Sequence, residues 1–437
     1  MKNSWFGLAL AFLAGAGLAL VLGSFFSPAP EIRASPADRN MLFYLEVEAD
    51  GAIPVRMTAR EVEFRAIVPC PRIQISNENP DDGCVVVVIL SNLNRDVARL
   101  DGPVSRQTWR SPTSLSAEVH LRKSSEVVLE VKDAHPDAPA RFFVAGDPEL
   151  NFVVLERFLA DARRERPDFV AVLGDLVQER SWYFGYYEWL FAQAEVPVYV
   201  AIGNHDLVGD RRSPPFEARK EDFRRVFGPT HYSFEFRGAQ YVFLDTGAPY
   251  MGKDQLDWLE GALASGPPRR RFVFAHKPFQ DPRPGSDHHV EDHLDRERLV
   301  KILALYPELV YYCGHVEMYR EYESSGIPVR IVGSLVFSGS LADESDGENG
   351  YMDVRVGPDA LEEERVILEP SGWASTAWYL VTRVGPAYVS DTPELAIGLA
   401  LLALAAAGAI LAAFLARRAK RRARTREEHP TALERHA

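Results

Sequence analysis

The chain has 437 residues, a hydrophobic content of 46% and a charged content of 25%, which suit a globular protein with some membrane sequence. This length exceeds that of one ordinary domain, so we expect two folded parts with attached segments. The net charge is −13, although basic residues concentrate after position 417, so the rest of the chain is strongly acidic. An acidic body argues against a nucleic-acid partner, because binding a phosphate backbone requires a basic surface.

Two uncharged, apolar segments lie near the ends of the chain, at residues 5–26 and 395–416. Each is long enough to cross about 30 Å of hydrocarbon as a helix. The second precedes a basic tail, residues 417–437, which marks the cytoplasmic side of a span. We therefore expect a cell-membrane protein whose body lies outside the cytoplasm, as in a periplasm. The first segment is either an uncleaved anchor or a signal peptide, since small residues follow it in the linker at 27–40.

Residues 41–133 alternate apolar and polar side chains as strands do, and helical periodicity is weak. We predict an N-terminal all-β domain, an immunoglobulin-like sandwich. It contains no motif with chemistry, so its expected role is structural or substrate-positioning. Cys70 and Cys84 flank a polar, turn-rich stretch in this region. In an oxidising compartment they would close a disulfide; the alternative is two separate buried thiols.

From residue 140 onward, short apolar strands alternate with helical patterns. Strands are predicted at 141–145, 169–173 and 197–202, with helices at 152–166 and 182–194. Each of these strands ends at a Gly followed by polar residues, and open α/β sheets place their sites at such strand ends. The later strands 271–275 and 309–313 deliver His276 and Gly314-His315 in the same way.

Metal-ligand residues therefore recur in five short motifs along the middle of the chain. The motifs are Gly146-Asp147-Pro148-Glu149, Gly174-Asp175, Gly203-Asn204-His205-Asp206, His276-Lys277-Pro278 and Gly314-His315-Val316-Glu317. Their order and types resemble the calcineurin-like metallophosphoesterases, whose pattern reads Asp-x-His, Gly-Asp, Gly-Asn-His-Asp/Glu, His, Gly-His-x-His. The resemblance covers residues 140–341 and implies a four-layer α/β/β/α sandwich, predicted here over residues 140–370.

The resemblance also implies how the chain would hold two divalent metal ions. Asp175 would bridge the two ions, and Asp147 would bind the first. The remaining ligands of the second ion would be Asn204, His276 and His315. His205 would act as the general acid beside the leaving group, oriented by Asp206. The expected reaction is hydrolysis of a phosphomonoester or phosphodiester by a metal-bridging hydroxide.

The chain departs from the family pattern at Glu149 and Glu317, which stand where the family has His. Both positions belong to the first metal, whose ligands would then all be carboxylates, namely Asp147, Glu149, Asp175 and Glu317. An all-oxygen shell favours harder ions such as Mn²⁺, Mg²⁺ or Ca²⁺, whereas Zn²⁺ suits imidazole. We therefore predict a mixed pair drawn from Mn, Mg, Ca, Fe and Zn, with a hard ion in the carboxylate site.

The same two Glu residues leave a second interpretation open. In this alternative the protein is a catalytically weak, metal-bound scaffold that recognises a phosphorylated ligand or a partner protein. A metal held in the carboxylate site would favour the enzyme, and a Glu317 turned away from it would favour the scaffold. A polar loop with three histidines is interpreted as solvated, the alternative being a lid or an auxiliary ligand; these are His288, His289 and His293. The substrate itself and the oligomeric state stay open.

Overall fold

The computed structural model describes residues 44–379, with gaps at 59, 150, 180–181, 210–213, 266–269, 336–348, 373–374 and 376–377. The described residues all belong to one compact unit. The segments predicted at 5–26, 27–40, 395–416 and 417–437 lie outside them. Within the described part of the chain, no helix has both the length and the apolar character needed to cross a membrane.

The first region of the described chain consists of nine strands, β1 to β9, in two sheets. Their bounds are Leu45–Asp50, Ala52–Met57, Glu61–Ala66, Arg72–Asn77, Cys84–Ser91, Ala98–Asp101, Val104–Ser111, Ser114–Leu121 and Ser125–Asp133. One sheet has the strand order β1-β4-β9-β6, and the other has β2-β3-β5-β8-β7. Alternate side chains of both sheets, such as Val86 and Leu129, share one buried core. The immunoglobulin-like assignment and the domain boundaries stay predictions.

The two cysteines of this β region do not form the disulfide considered above. Cys70 and Cys84 are both free thiols. Cys70 lies beside Asp133, at the end of the sheet where β4 begins, whereas Cys84 pairs with Leu121 near the end where β4 finishes. Strand β4 has six residues. At about 3.3 Å per residue it separates the two ends by about 20 Å, far beyond the reach of a disulfide.

From Ala140 onward, strands and helices alternate, as the hydrophobic pattern predicts. Strands β10 to β20 are Ala140–Ala145, Phe169–Val172, Val198–Val200, Tyr232–Phe236, Ala239–Phe243, Arg270–Phe274, Leu309–Cys313, Tyr319–Ser324, Ile327–Val332, Gly350–Val356 and Leu361–Ile367. Helices α1 to α5 are Phe152–Glu165, Trp182–Ala192, Glu221–Phe227, Lys253–Ala264 and His293–Leu303. A 3-10 turn at Glu217–Lys220 leads into α3.

These strands form two further sheets, with the orders β12-β11-β10-β19-β20 and β13-β14-β15-β16-β18-β17. Their inner faces meet in an aromatic core, where Phe142 stacks on Phe169 at 5.2 Å between ring centroids and meets Phe272 edge-on at 5.3 Å. Helix α1 covers the outer face of the first sheet, as Phe158 packs on Tyr351 at 5.0 Å. Helices α4 and α5 bury apolar side chains on the outer face of the second sheet. The layers therefore run α/β/β/α, as the resemblance implies.

Candidate metal centre

The predicted ligands gather at the carboxyl ends of strands from both of these sheets. The strands and the residues that follow them are β10 with Asp147 and Glu149, β11 with Asp175, β12 with Asn204 and His205, β15 with His276, and β16 with His315 and Glu317. Strands β10, β11 and β12 are parallel to one another, and so are β15 and β16. Parallel neighbours end at the same edge of a sheet, so each sheet presents its ligands along one edge.

His276 is the centre of the first group of ligands, and its side chain is fully buried. Its Nδ1 lies 2.9 Å from the carbonyl oxygen of Leu173. Because a carbonyl only accepts, Nδ1 donates its proton there, and Nε2 presents a lone pair to the site. That Nε2 lies 2.8 Å from Asn204 Oδ1, 3.1 Å from His315 Nδ1 and 3.2 Å from Asp175 Oδ2. Burial, followed by the neighbouring His276, lowers the pKa of His315 well below its usual value, which keeps that ring neutral. Electron-rich atoms that converge in this way are stabilised by a cation among them.

A second group consists of carboxylates around Asp147, which is 1% exposed. Burial raises the pKa of Asp147 well above its usual value, and the charges of Asp175, Glu317 and Glu149 raise it further. The backbone N–H of His315 donates to both oxygens of Asp147, at 2.9 and 3.0 Å, which offsets part of this repulsion. A divalent ion would remove the rest, so the donor set fits a hard cation.

Asp175 belongs to both groups. One ligand atom each from Asp175, His276 and His315 lies within 4.8 Å of the others, and the same holds for Glu149, Asp175 and His205. Asp175 is 3% exposed, and its Oδ1 accepts the backbone N–H of His205 at 2.7 Å. This shared position is the one that a carboxylate bridging two ions would occupy.

The backbone at the ligands is unusual, because several of them adopt the left-handed conformation that L-residues rarely take. Their φ angles are +50° at Asp147, +40° at Glu149, +51° at Asp175, +64° at His315 and +53° at Glu317. Such conformations cost about 1–3 kcal/mol each and cluster at functional sites. These left-handed conformations therefore reduce the stability of the fold and direct the side chains toward the candidate site.

Two glycines allow the carboxylates to approach the neighbouring strand ends. A Cβ on Gly203 would lie 2.2 Å from Asp175 Oδ1, and one on Gly314 would lie 2.4 Å from Asp147 Oδ2. Any side chain at either position would displace the carboxylate. The Gly that precedes Asn204 and the Gly that precedes His315 are therefore part of the site.

The surroundings of His205 differ from the prediction. We expected Asp206 to orient the ring, but Asp206 is fully buried and accepts the backbone N–H groups of Leu176, Val177 and Gly203 at 2.8, 3.1 and 2.8 Å. Burial, followed by the charge of Asp175, raises the pKa of Asp206 to about 7. Asp206 thus ties two ligand loops together through their backbone.

The carboxylate that faces the His205 ring belongs to Glu179, whose Oε1 lies 3.2 Å from His205 Nδ1. His205 Nε2 lies on the other side of the ring, 4.0 Å from Asp175 Oδ2. The sequence argument missed Glu179. Its signal in the sequence is an acidic side chain four positions after Asp175; in the structure its φ is also positive, at +56°.

His288 lies nearer the site than the solvated-loop interpretation expects. Its ring is 5.4 Å from that of His315, between centroids. The loop is folded around Asp281, which accepts the backbone N–H of His288 at 3.1 Å and is bound by Arg283 at 2.8 Å. His288 thus borders the second group of ligands. By contrast, His293 forms an exposed pair with Glu297 on α5.

The comparisons with known proteins agree with this geometry. The model of the calcineurin-like phosphoesterase family matches residues 140–317. Residues 140–317 are a calcineurin-like phosphoesterase domain. The predicted family is thus confirmed, and this domain holds all the residues that we predicted to bind metal or transfer protons.

The phosphoesterase domain also has relatives among individual proteins. The chain is 27% identical to 3',5'-cyclic adenosine monophosphate phosphodiesterase CpdA of Escherichia coli K12 over an alignment of 223 residues. The match covers 48% of this chain and 75% of that protein. Similar solved structures include PhoD, with 11% identity, a TM-score of 0.44 and coverage of 69% of this chain and 87% of that one. Another is a dimetal phosphatase from Danio rerio, with 13% identity, a TM-score of 0.40 and coverage of 54% and 100%.

Proposed function

We propose that the phosphoesterase domain is a metal-dependent hydrolase of phosphate esters, in which two divalent ions share Asp175. The observation that carries this proposal is the convergence of Asn204, His315 and Asp175 on the lone pair of His276, beside a buried cluster of carboxylates. One ion would be held by the residues around His276, and the other by Asp147, Glu149, Asp175 and Glu317. Two such ions activate a water molecule and neutralise the phosphoryl oxygens.

The chain's own residues supply the rest of the chemistry. His205 Nδ1 lies 3.2 Å from the carboxylate of Glu179, and Nε2, on the opposite side of the ring, is the proposed proton donor to the leaving oxygen. Glu179 also stabilises the protonated ring by its charge. Asp206 acts on the backbone rather than on the proton, since it holds Gly203 and the Asp175 loop in place.

The charge of the site favours phosphodiesters over phosphomonoesters. The carboxylates of Asp147, Glu149, Asp175 and Glu317 balance the positive charge of two divalent ions, whereas a site with two His in place of the Glu residues keeps excess positive charge. A monoester approaches two negative charges at pH 7 and a diester carries one. The similarity to a cyclic-nucleotide phosphodiesterase also supports a diester substrate.

The arrangement of Glu149 and Glu317 favours the enzyme over the scaffold alternative. Glu149 offers a carboxylate oxygen within 4.8 Å of ligand atoms of Asp175 and His205, and the charge of Glu317 acts on Asp147. We propose a hard ion such as Mn²⁺ in that cluster and an ion that accepts imidazole at His276 and His315. Metal analysis of protein purified without chelator tests this assignment, and zinc in both positions would contradict it.

We also propose that the protein is anchored in the cell membrane, with the phosphoesterase domain outside the cytoplasm and the basic tail inside. The support comes from the apolar segments at 5–26 and 395–416 and from the basic residues after 417. A protease added outside intact membranes should then cleave the domain and spare an epitope at the C-terminus. The opposite cleavage pattern would reverse the proposed orientation.

The experiment that tests the function uses the full chain purified in detergent. Bis-nitrophenyl phosphate and nitrophenyl phosphate are assayed with Mn²⁺, Mg²⁺, Ca²⁺ and Zn²⁺ in turn. We expect metal-dependent turnover, faster with the diester, that falls by about 100-fold or more in Asp175→Asn and His205→Ala. His120→Ala, an exposed histidine of the β region, is the matched control and should retain activity. Folded protein that shows no turnover with any ion would favour the scaffold.

A further inference from the structure

Strand β12 leads to two of the site residues and is the shortest strand of its sheet. It has three residues, Val198–Val200, and lies at the edge of the order β12-β11-β10-β19-β20. Four residues after its end the chain reaches Asn204, and His205 follows. Any movement of β12 therefore moves one candidate metal ligand and the candidate general acid together.

Side chains from other parts of the fold saturate the outer edge of β12. The N–H of Val198 donates to Asn92 Oδ1 at 2.9 Å, and Asn92 Nδ2 donates to the carbonyl of Val198 at 3.2 Å. Two residues on, the hydroxyl of Tyr232 lies 3.2 Å from both the N–H and the carbonyl of Val200. The Asn92 amide thus forms the pair of bonds that a neighbouring strand would form.

Asn92 belongs to the N-terminal β region, and that region fixes its side chain. It follows β5, is 8% exposed and has a φ of +61°. Its Nδ2 also donates to the carbonyl of Ala66, the last residue of β3, at 2.7 Å. The adjacent Arg65 donates to the carbonyl of Val198 at 3.4 Å and lies 3.8 Å from Glu188 on α2.

We propose that the N-terminal β region is a working part of the catalytic unit, with Asn92 as a positioning residue that holds β12 and, through it, Asn204 and His205. This role goes beyond the proposed hydrolysis, and only its kinetic test rests on that function. A rigid strand transmits a shift at Val198 to the residues that follow Val200, and small misplacements of reacting groups are costly to turnover.

The test compares Asn92→Ala with Asn94→Ala in the full chain. Asn94 is a matched control, because it is also 8% exposed and donates to a backbone carbonyl, that of Asp168, at 3.0 Å. Asp168 leads into β11, which has a strand on each side and does not depend on that bond. Asn92→Asp keeps the acceptor for the Val198 N–H and loses the donor, so it serves if Asn92→Ala does not fold.

Three readouts separate positioning from a general loss of stability. Amide exchange at Val198 and Val200 should rise at least about tenfold in Asn92→Ala and stay unchanged in Asn94→Ala. Calorimetry should show weaker binding of one divalent ion in Asn92→Ala only. The kcat of Asn92→Ala should fall roughly tenfold below that of the wild type, while its KM stays within about twofold. The kcat of Asn92→Asp should lie between those of the wild type and Asn92→Ala.

Equal kcat values and equal exchange rates in the folded Asn92 and Asn94 variants would overturn the proposal. If the wild-type protein shows no turnover, the proposed hydrolysis fails, while exchange and metal binding still decide the role of Asn92. Faster exchange with unchanged metal affinity would reduce Asn92 to a structural residue and would also count against the proposal.

Discussion

Replacement of Arg237 by Ala should destabilise the protein through one buried network. The Arg237 side chain is 6% exposed and pairs with Asp133 of the β region at 2.9 Å and with Asp168, before β11, at 3.0 Å. It also donates to the carbonyl of Pro139 at 2.9 Å and lies over the Phe236 ring at 4.7 Å. The variant would leave two carboxylates that are 10% and 12% exposed without their cation.

The expected loss follows from this geometry. Removing one partner of a buried pair costs about 3–5 kcal/mol, because the remaining charge stays buried. Burial already raises the pKa of Asp168, although the Arg141 N–H and Arg237 act against it. Without Arg237 that pKa rises further above its unfolded value. A carboxyl with a raised folded pKa stabilises the fold below its unfolded pKa, near 3.9, and this contribution is lost as the pH rises through the folded pKa. The loss in free energy of unfolding caused by Arg237→Ala should thus be largest at pH 7 and shrink as the pH falls toward 4.

Urea unfolding at pH 7 and pH 5, followed by tryptophan fluorescence, measures this loss. Arg166→Ala is the control, since Arg166 joins the same two regions through Asp96 but the pair is 41% and 57% exposed. Its expected cost is below about 1 kcal/mol. Equal costs for the two variants, or a loss at Arg237 that does not change with pH, would refute the reasoning. Arg237→Lys, which keeps the charge, serves if the Ala variant does not fold.

Three further predictions concern the site, the core and the loop beside the site. Glu179→Gln should lower kcat roughly tenfold in the diester assay, because the ring of His205 loses its charged partner; an unchanged kcat would exclude that role. Phe142→Ala should cost about 3–5 kcal/mol in denaturant unfolding, since its ring is fully buried in the aromatic core, and a loss below about 1 kcal/mol would contradict this packing. Burial acts to raise the pKa of Asp281, but hydrogen bonds, chiefly from Arg283, outweigh it and hold that pKa below its usual value. Asp281→Asn should therefore be less stable than wild type above pH 4, and the difference should vanish as the pH falls through the depressed folded pKa; a difference that persists there would argue against this ion pair.

The sequence predicted the parts of the site that depend on local pattern. An apolar run that ends in Gly and a polar residue identifies a strand end, and Asp175 and His315 lie where that pattern puts them. Parallel pairing then gathers such ends along one edge, so the predicted ligands lie together. The alternation of apolar and polar side chains likewise predicted the strands of residues 41–133, and alternating strand and helix patterns predicted the α/β region that follows.

Contacts between distant segments could not be predicted in this way. The carboxylate facing His205 is Glu179 rather than Asp206, because Asp206 accepts backbone N–H groups from its own loop and from the Asp175 loop. The bond from Asn92 to Val198 joins residues 106 positions apart, and no local pattern records it. The separation of Cys70 from Cys84 likewise depends on the path of β4, not on their spacing in the chain.

The position of β10 has a consequence for how the protein is assembled during synthesis. Strand β10 is the middle strand of its sheet, and one of its two partners is β19, Gly350–Val356. A nascent chain that has reached residue 317, where the family match ends, already contains every candidate ligand. Its central strand nevertheless still has an open edge that can pair with another chain. All candidate ligands are therefore synthesised before β19, the strand that completes the sheet around β10. A fragment that ends at residue 317 should aggregate rather than fold.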